Sequence, residues 1–205
     1  SELTPFSAIR IAELASEAGL PNGLFNVIQG GGATGSSLVR HPLIRKITFT
    51  GSSVTGAKVM AEAAQHGTKP VILELGGKSP QLVLSDIKGD QAINQVVQEV
   101  ANGFLANSGQ VCTAGTRLII PKNMLDEYMQ RLIDKIKSRI PGPTWQMENN
   151  LPPIINEKQA LRIDEMLAQT IIEGAQVLCG GKRFKLNYAG AYYEPTIIQN
   201  VQKSS

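Results

Sequence analysis

Residues 46–75 constrain the fold more than any other stretch of the chain. Lys-Ile-Thr-Phe-Thr at 46–50 runs into Gly51, Ser52 and Ser53, a helical pattern follows over about 54–65, and Val-Ile-Leu-Glu-Leu at 71–75 runs into Gly76 and Gly77. Strand, glycine turn, helix, strand is a crossover unit. Two strands separated by a helix pair in parallel, because a parallel pair needs a connection far longer than a hairpin turn. The chain is therefore predicted to be α/β, with a parallel sheet and helices on its faces.

The same rhythm extends in both directions. Thr4 and Pro5 read as the cap and first residue of a helix to about Ala18, which Gly19 terminates. Residues 24–28 read as a short buried strand, and Gly30, Gly31 and Gly32 open a small helix through 35–40. Beyond Gly76, strands are expected at 81–84 and 117–120 around a helix at 91–106 with Ile93, Val96, Val97 and Val100 on one face. An amphipathic helix spans 122–140, with Leu125, Tyr128, Met129, Leu132, Ile133 and Ile136 apolar. Residues 141–153 form a loop with four prolines and the only tryptophan. Asn156 caps a further helix to about Glu173, and 177–178 and 196–198 are the last strands.

Bulk properties exclude several functions. The 205 residues are 42% hydrophobic and 18% charged, enough for a sizeable core. A net charge of +3 is spread along the chain, with no basic run of the kind that binds nucleic acid or a membrane surface. No apolar stretch approaches the roughly 20 residues of a membrane span, and the first residues are not a signal peptide. Two cysteines, Cys112 and Cys179, make no disulfide framework, which points to a reducing compartment, the cytoplasm.

Cys112 lies in a loop of small and polar residues, Asn107, Ser108, Gly109, Gln110, Val111, Thr113, Ala114 and Gly115. A thiol in an open, glycine-flanked loop is placed for reaction, whereas Cys179 beside Gly180 and Gly181 reads as a small buried hydrophobe. No histidine is near Cys112, so a papain-like pair has little support, and the scattered cysteines and histidines lack metal-ligand spacing. Glu74 stands between Leu73 and Leu75. If it is removed from water its pKa rises toward that of a general base; as an edge-strand residue it is a surface carboxylate. Phe49 to Gly56 is a strand, turn and helix start that suits either an ordinary βα turn or a phosphate at the helix N-terminus, and it matches neither G-x-G-x-x-G nor the P-loop.

Phe-Thr-Gly-Ser at 49–52, Leu-Glu-Leu-Gly-Gly-Lys-Ser-Pro at 73–80 and Gly-Gln-Val-Cys at 109–112, in that order, resemble the aldehyde dehydrogenase superfamily of the non-acylating type. The resemblance runs from Ser1 to the Gly-Ala-Tyr-Tyr-Glu-Pro-Thr segment at 190–196. It implies a Rossmann-like cofactor half-domain over 1–75 and an α/β catalytic domain over 76–205, both incomplete. It also implies NAD or NADP as cofactor, an aldehyde as substrate and a homo-oligomeric parent enzyme. The thiolate matching Cys112 attacks the aldehyde to give a thiohemiacetal, hydride loss leaves a thioester, and the carboxylate matching Glu74 activates the water that releases the acid. The backbone N–H of Cys112 is one oxyanion donor. Ser52 matches the pyrophosphate contact, Gly51 and Gly56 bracket it, Gly32 matches a glycine near the adenosine, Leu75 and Gly76 line the nicotinamide side, and Gln159 matches a residue near the nicotinamide ribose. Members that form acyl-CoA lack the glutamate, so Glu74 favours release of the free acid.

The resemblance also implies that the chain is an internal piece. Family subunits are more than twice this length. The Pro-Trp-Asn segment and the adenosine-binding lysine would precede Ser1, and the Glu-Ile-Phe-Gly-Pro segment would follow Ser205. The alternative is a polypeptide that works as a binding or folding module without dehydrogenase activity of its own.

Overall fold

The structure is a computed structural model that describes residues 1–146 and 151–202. Residues 147–150 of the proline-containing loop lie outside the described residues. The chain forms two compact units, Ser1–Gly76 and Gly77–Ser205.

In the first unit, α1 (Phe6–Glu17) and α2 (Gly32–Arg40) precede β1 (Ile47–Gly51), α3 (Ser53–Gln65) and β2 (Val71–Leu75). β1 and β2 pair in parallel, with Ile47 opposite Val71 and Gly51 opposite Leu75, as a crossover through α3 requires. Helix α1 begins one residue later than expected, with Pro5 at its cap, and ends where Gly19 turns left-handed at φ 88°. In that conformation the Leu20 N–H reaches back to the Ala15 carbonyl at 3.0 Å. Lys69 is buried, and its ammonium donates to the carbonyls of Val39 and His41, closing the C-terminal end of α2.

Residues 24–28 are not a strand. They carry no ladder, and Leu24, Phe25 and Ile28 are exposed. A strand exists only through hydrogen bonds to a neighbour, so an apolar run is not sufficient for one.

The second unit is built on α4 (Asp90–Leu105) and α5 (Leu125–Lys137), joined through β3 (Pro80–Leu82) and β4 (Arg117–Ile119), which pair in parallel. Ile93, Val97, Val100, Ala101 and Leu105 of α4 meet Tyr128, Leu132 and Ile136 of α5 in one cluster with Val83 and Leu151. Each such aliphatic side chain stabilises by about 1.5–3 kcal/mol when buried. Arg131 also links α5 to Asp90, but Asp90 is 84% exposed. Pairs of that kind contribute about 1 kcal/mol or less, so the apolar face decides the packing. The predicted helix 122–140 is shorter in the structure, because its first residues form a 3₁₀ turn, Lys122–Met124.

Helix α6 (Glu157–Ile172) starts at Asn156, whose side chain accepts the Gln159 N–H at 2.9 Å, the cap read from the sequence. β5 (Gln176–Cys179) pairs antiparallel with β8 (Ile197–Gln199), and β6 (Arg183–Phe184) pairs antiparallel with β7 (Tyr192–Tyr193). The parallel arrangement expected of the sheets thus gives way to antiparallel pairing near the end of the chain. β6 and β7 are two residues each, too short to leave a periodic signal.

Arg183 binds Glu157 and Asp164 of α6, and the Tyr193 hydroxyl donates to Asp164 at 2.9 Å. Burial, then the Asp164 carboxylate, pushes the Tyr193 phenol up to about 12, and burial also raises Tyr128. A raised folded value means the neutral phenol is the stabilising form. That contribution is complete below the unfolded value of about 10 and is lost as the pH rises toward 12. In a spectrophotometric titration, Tyr193 and Tyr128 are expected to form phenolate later than a tyrosine free in water. Tyr193→Phe should remove the latest component; its persistence would contradict the assignment.

Candidate active site

Each unit carries part of the predicted site. In the first, the C-terminal ends of β1 and β2 gather Gly51, Ser52, Gly56, Glu74 and Leu75. Ser52 is the cap of α3, and its hydroxyl oxygen accepts the Thr55 N–H at 3.2 Å. The first helical bond runs from the Gly56 N–H to the Ser52 carbonyl, which leaves the N–H groups of Ser53 and Val54 ahead of the ladder. Ser52, Ser53 and Val54 are exposed. Thirteen aligned peptide units add their dipole at this end, so the turn can receive an anion.

The glycines around this turn have separate reasons to be glycine. A Cβ on Gly56 would lie 2.7 Å from Leu75 Cδ2, so Gly56 lets α3 close on β2. A Cβ on Gly51 would meet the Phe49 ring at 2.5 Å. Gly32 is the first residue of α2 and has open space where a Cβ would be, as does Gly76.

Of the two readings of Glu74, a carboxylate removed from water or one at the surface, the structure has the second. β2 alternates, with Val71, Leu73 and Leu75 half-buried and Ile72 and Glu74 exposed. Successive side chains of a strand point to opposite faces, so the flanking leucines do not shield the carboxylate between them. Thr50 is its register partner on β1 and shares its exposed face.

In the second unit Cys112 is exposed, while Cys179 is half-buried with its thiol 3.5 Å from the Pro195 carbonyl. Burial pushes the Cys179 thiol up and so suppresses its thiolate. The Cys112 loop follows α4 directly through a 3₁₀ turn, Ala106–Gly109. Within that turn Asn107 (φ 50°) and Ser108 (φ 54°) are left-handed, and Gly109 (φ 76°) continues the reversal. Left-handed backbone at a non-glycine residue costs roughly 1–2 kcal/mol. Here Ser108 Oγ donates to the Pro152 carbonyl, and the Gln110 side chain bonds Asn107, Pro153 and Ile155. At about 0.5–1.5 kcal/mol each, these four bonds are of the size needed to hold the turn.

Downstream, the loop closes on Gln81 of β3. Gln81 Nε2 donates to the carbonyls of Val100 (3.1 Å) and Gly115 (2.7 Å), and the Gly115 N–H donates to Gly103 at 2.9 Å. Gly103 and Gly115 leave space for the Gln81 side chain: a Cβ on either would lie within 2.6 Å of one of its atoms. Gly77 sits so near the Cys112 carbonyl oxygen that a Cβ there would lie at 3.2 Å. Gln159, in the first turn of α6, is half-buried. A cavity of about 270 Å³ in this unit, lined by Phe104, Leu118, Met129 and Ile197 among others, does not include Cys112 in its wall. Gly77, Gln81, Ser108 and Gln110 hold or adjoin the cysteine loop, a part that the sequence reading did not assign to them. Only the left-handed turn, which a run of Asn, Ser and Gly favours, was open to detection from residue type.

The sequence model of the aldehyde dehydrogenase family matches residues 1–205. Among solved structures, the aldehyde dehydrogenase KauB from Pseudomonas aeruginosa is 35% identical with a TM-score of 0.93, over 100% of this chain and 41% of that one. Gamma-glutamyl-gamma-aminobutyraldehyde dehydrogenase from Burkholderia cenocepacia is 35% identical with a TM-score of 0.90, over 97% of this chain and 39% of that one. A mutant of AldA indole-3-acetaldehyde dehydrogenase from P. syringae, in complex with NAD+ and IAA, is 33% identical with a TM-score of 0.93, over 100% of this chain and 41% of that one. The chain therefore belongs to the aldehyde dehydrogenase family, and it spans about two fifths of the length of these relatives. Among the described residues no helix is long and apolar enough to cross a membrane.

The glycine environments make a direct test. Gly115→Ala is expected to cost about 1–3 kcal/mol in urea denaturation, because Gln81 is held at both carbonyls and cannot withdraw. Gly32→Ala, with open space and helical backbone, should be neutral or stabilising by about 0.5–1 kcal/mol. Equal effects of the two changes would contradict this reading.

Proposed function

We propose that this chain carries the nucleophile, the base and part of the cofactor site of an NAD- or NADP-dependent enzyme that oxidises an aldehyde to a carboxylic acid. The observation that carries the proposal is an exposed Cys112, in the loop just beyond a left-handed turn that side-chain hydrogen bonds hold in place, in a chain of this family. The Cys112 thiolate attacks the aldehyde carbon and its own N–H stabilises the oxyanion of the thiohemiacetal. NAD or NADP, when bound, supplies the acceptor for the hydride leaving that carbon. Glu74 then takes a proton from the water that hydrolyses the Cys112 thioester.

The N-terminus of α3 fits the dinucleotide's pyrophosphate, with Ser52 and the free N–H groups of Ser53 and Val54 as its contacts. Gly32 and Gly51 belong to the same cofactor site, Gly56 supports it by its packing on Leu75, and Leu75, Gly76 and Gln159 flank the nicotinamide end. The division of roles follows the two units, the first the later half of a Rossmann-like cofactor domain and the second the catalytic domain. The AldA mutant structure in complex with NAD+ supports the choice of cofactor. Cytoplasmic location and homo-oligomeric assembly of the complete enzyme belong to the same reading.

In the complete polypeptide that carries this sequence, Cys112→Ala should abolish aldehyde-dependent NADH or NADPH formation. Glu74→Gln should accumulate acylated Cys112, visible as added mass on its peptide, with turnover reduced by roughly 10²-fold or more. Normal oxidation by Cys112→Ala would dismiss the mechanism. For the 205-residue chain alone, failure to form NADH while Cys112 still reacts with acylating agents would favour the non-catalytic module instead.

A further inference from the structure

We propose that Gln110 is a positioning residue for acyl chemistry at Cys112, an inference that rests on the reading of Cys112 as the nucleophile. Its side-chain amide is a three-bond clamp. Nε2 donates to the carbonyls of Pro153 (3.2 Å) and Asn107 (3.1 Å), and Oε1 accepts the Ile155 N–H at 2.8 Å. Both amide hydrogens and the carbonyl oxygen are thereby used.

What Gln110 holds on to is itself fixed. Leu151 is buried in the α4–α5 cluster and Ile154 in the cluster with Ala160, Ala191 and Tyr193. The Ile154 N–H also donates to the Ala191 carbonyl at 2.7 Å. Pro152 and Pro153, between these anchors, have their φ locked by the ring. The clamp thus ties the loop to a stiff segment secured in two cores.

What Gln110 controls lies two residues on. Val111, Cys112 and Thr113 are exposed, and the moorings on either side of them are Gln110 and the buried Ala114. The direction of the Cys112 N–H follows from the Val111–Cys112 peptide plane, which the upstream mooring sets. Transfer of an acyl group to the sulfur builds an oxyanion that this N–H must meet. Displacement of a halide by the same sulfur builds none, so the two reactions separate orientation of the N–H from reactivity of the thiol.

The test uses the 205-residue chain. With p-nitrophenyl acetate, the thiolate attacks the ester carbonyl, p-nitrophenolate leaves and Cys112 keeps the acetyl group as a thioester. Iodoacetamide alkylates the same sulfur with loss of iodide. Gln110→Glu keeps the acceptor for Ile155 but turns an oxygen toward the carbonyls of Asn107 and Pro153, and Gln110→Met removes all three bonds without adding charge. Acetylation of Cys112, followed by peptide mass, is expected to fall roughly tenfold to a hundredfold in both variants. Alkylation over the same pH range should be unchanged in Gln110→Met, which adds no charge beside the thiol, and thermal unfolding of both variants should stay cooperative and above the assay temperature, lowered by the bonds each has lost. Equal loss of both reactions, or no loss of acetylation, overturns the role of Gln110. Acetylation of wild-type protein elsewhere than at Cys112, or at an undiminished rate in Cys112→Ala, overturns the underlying assignment of the nucleophile instead.

Discussion

Burial of one face of α4 against α5 and Val83, just after β3, is the constraint on which the cysteine loop depends. Leu105, the last residue of α4, lies in that core, and β4 starts at Arg117 in register with Pro80 of β3. The loop between them therefore begins and ends at points set by apolar packing. No local preference of its own residues would put it there. A handful of buried aliphatic side chains, each worth about 1.5–3 kcal/mol, outweighs the strain the loop carries.

That surplus allows a costly backbone. Asn107 and Ser108 turn left-handed so that the chain reverses immediately after the helix and brings Cys112 to the surface. Polar side chains then hold what the backbone alone would not: Gln81 on the downstream side, between Gly103 and Gly115, and Gln110 and Ser108 on the upstream side. Strain held in place by surrounding structure is typical of functional loops, where it fixes one geometry against alternatives. Cys179 lacks these features. It packs against the α4–α5 core, where burial keeps its thiol protonated.

Much of this was legible in residue order. The parallel pairing of β1 with β2 followed from a helix between two apolar runs, and the apolar faces of α4 and α5 followed from their spacing. Asn156 announced itself as a cap. Residues 24–28 did not become a strand, because pairing is a property of two segments and the run itself shows only one. The exposure of Glu74 stayed open in the sequence for a related reason. Neighbours in a strand's sequence are not neighbours on its face, so the leucines on either side of it say nothing about its exposure.

Residue identity alone determined the alternation of strands and helices, the family motifs, and the presence of an uncrowded cysteine and a strand-borne glutamate. Those are local or strictly periodic properties, readable within a few residues. Tertiary structure decided which side chains hold the cysteine loop, because Gln81 meets Gly115, 34 residues on, and Gln110 meets Pro153, 43 residues on, only after those segments have packed. It also decided that Gly56 packs against Leu75 and that Glu74 faces outward. Those outcomes depend on which surfaces the folded core covers, and distant residues set them.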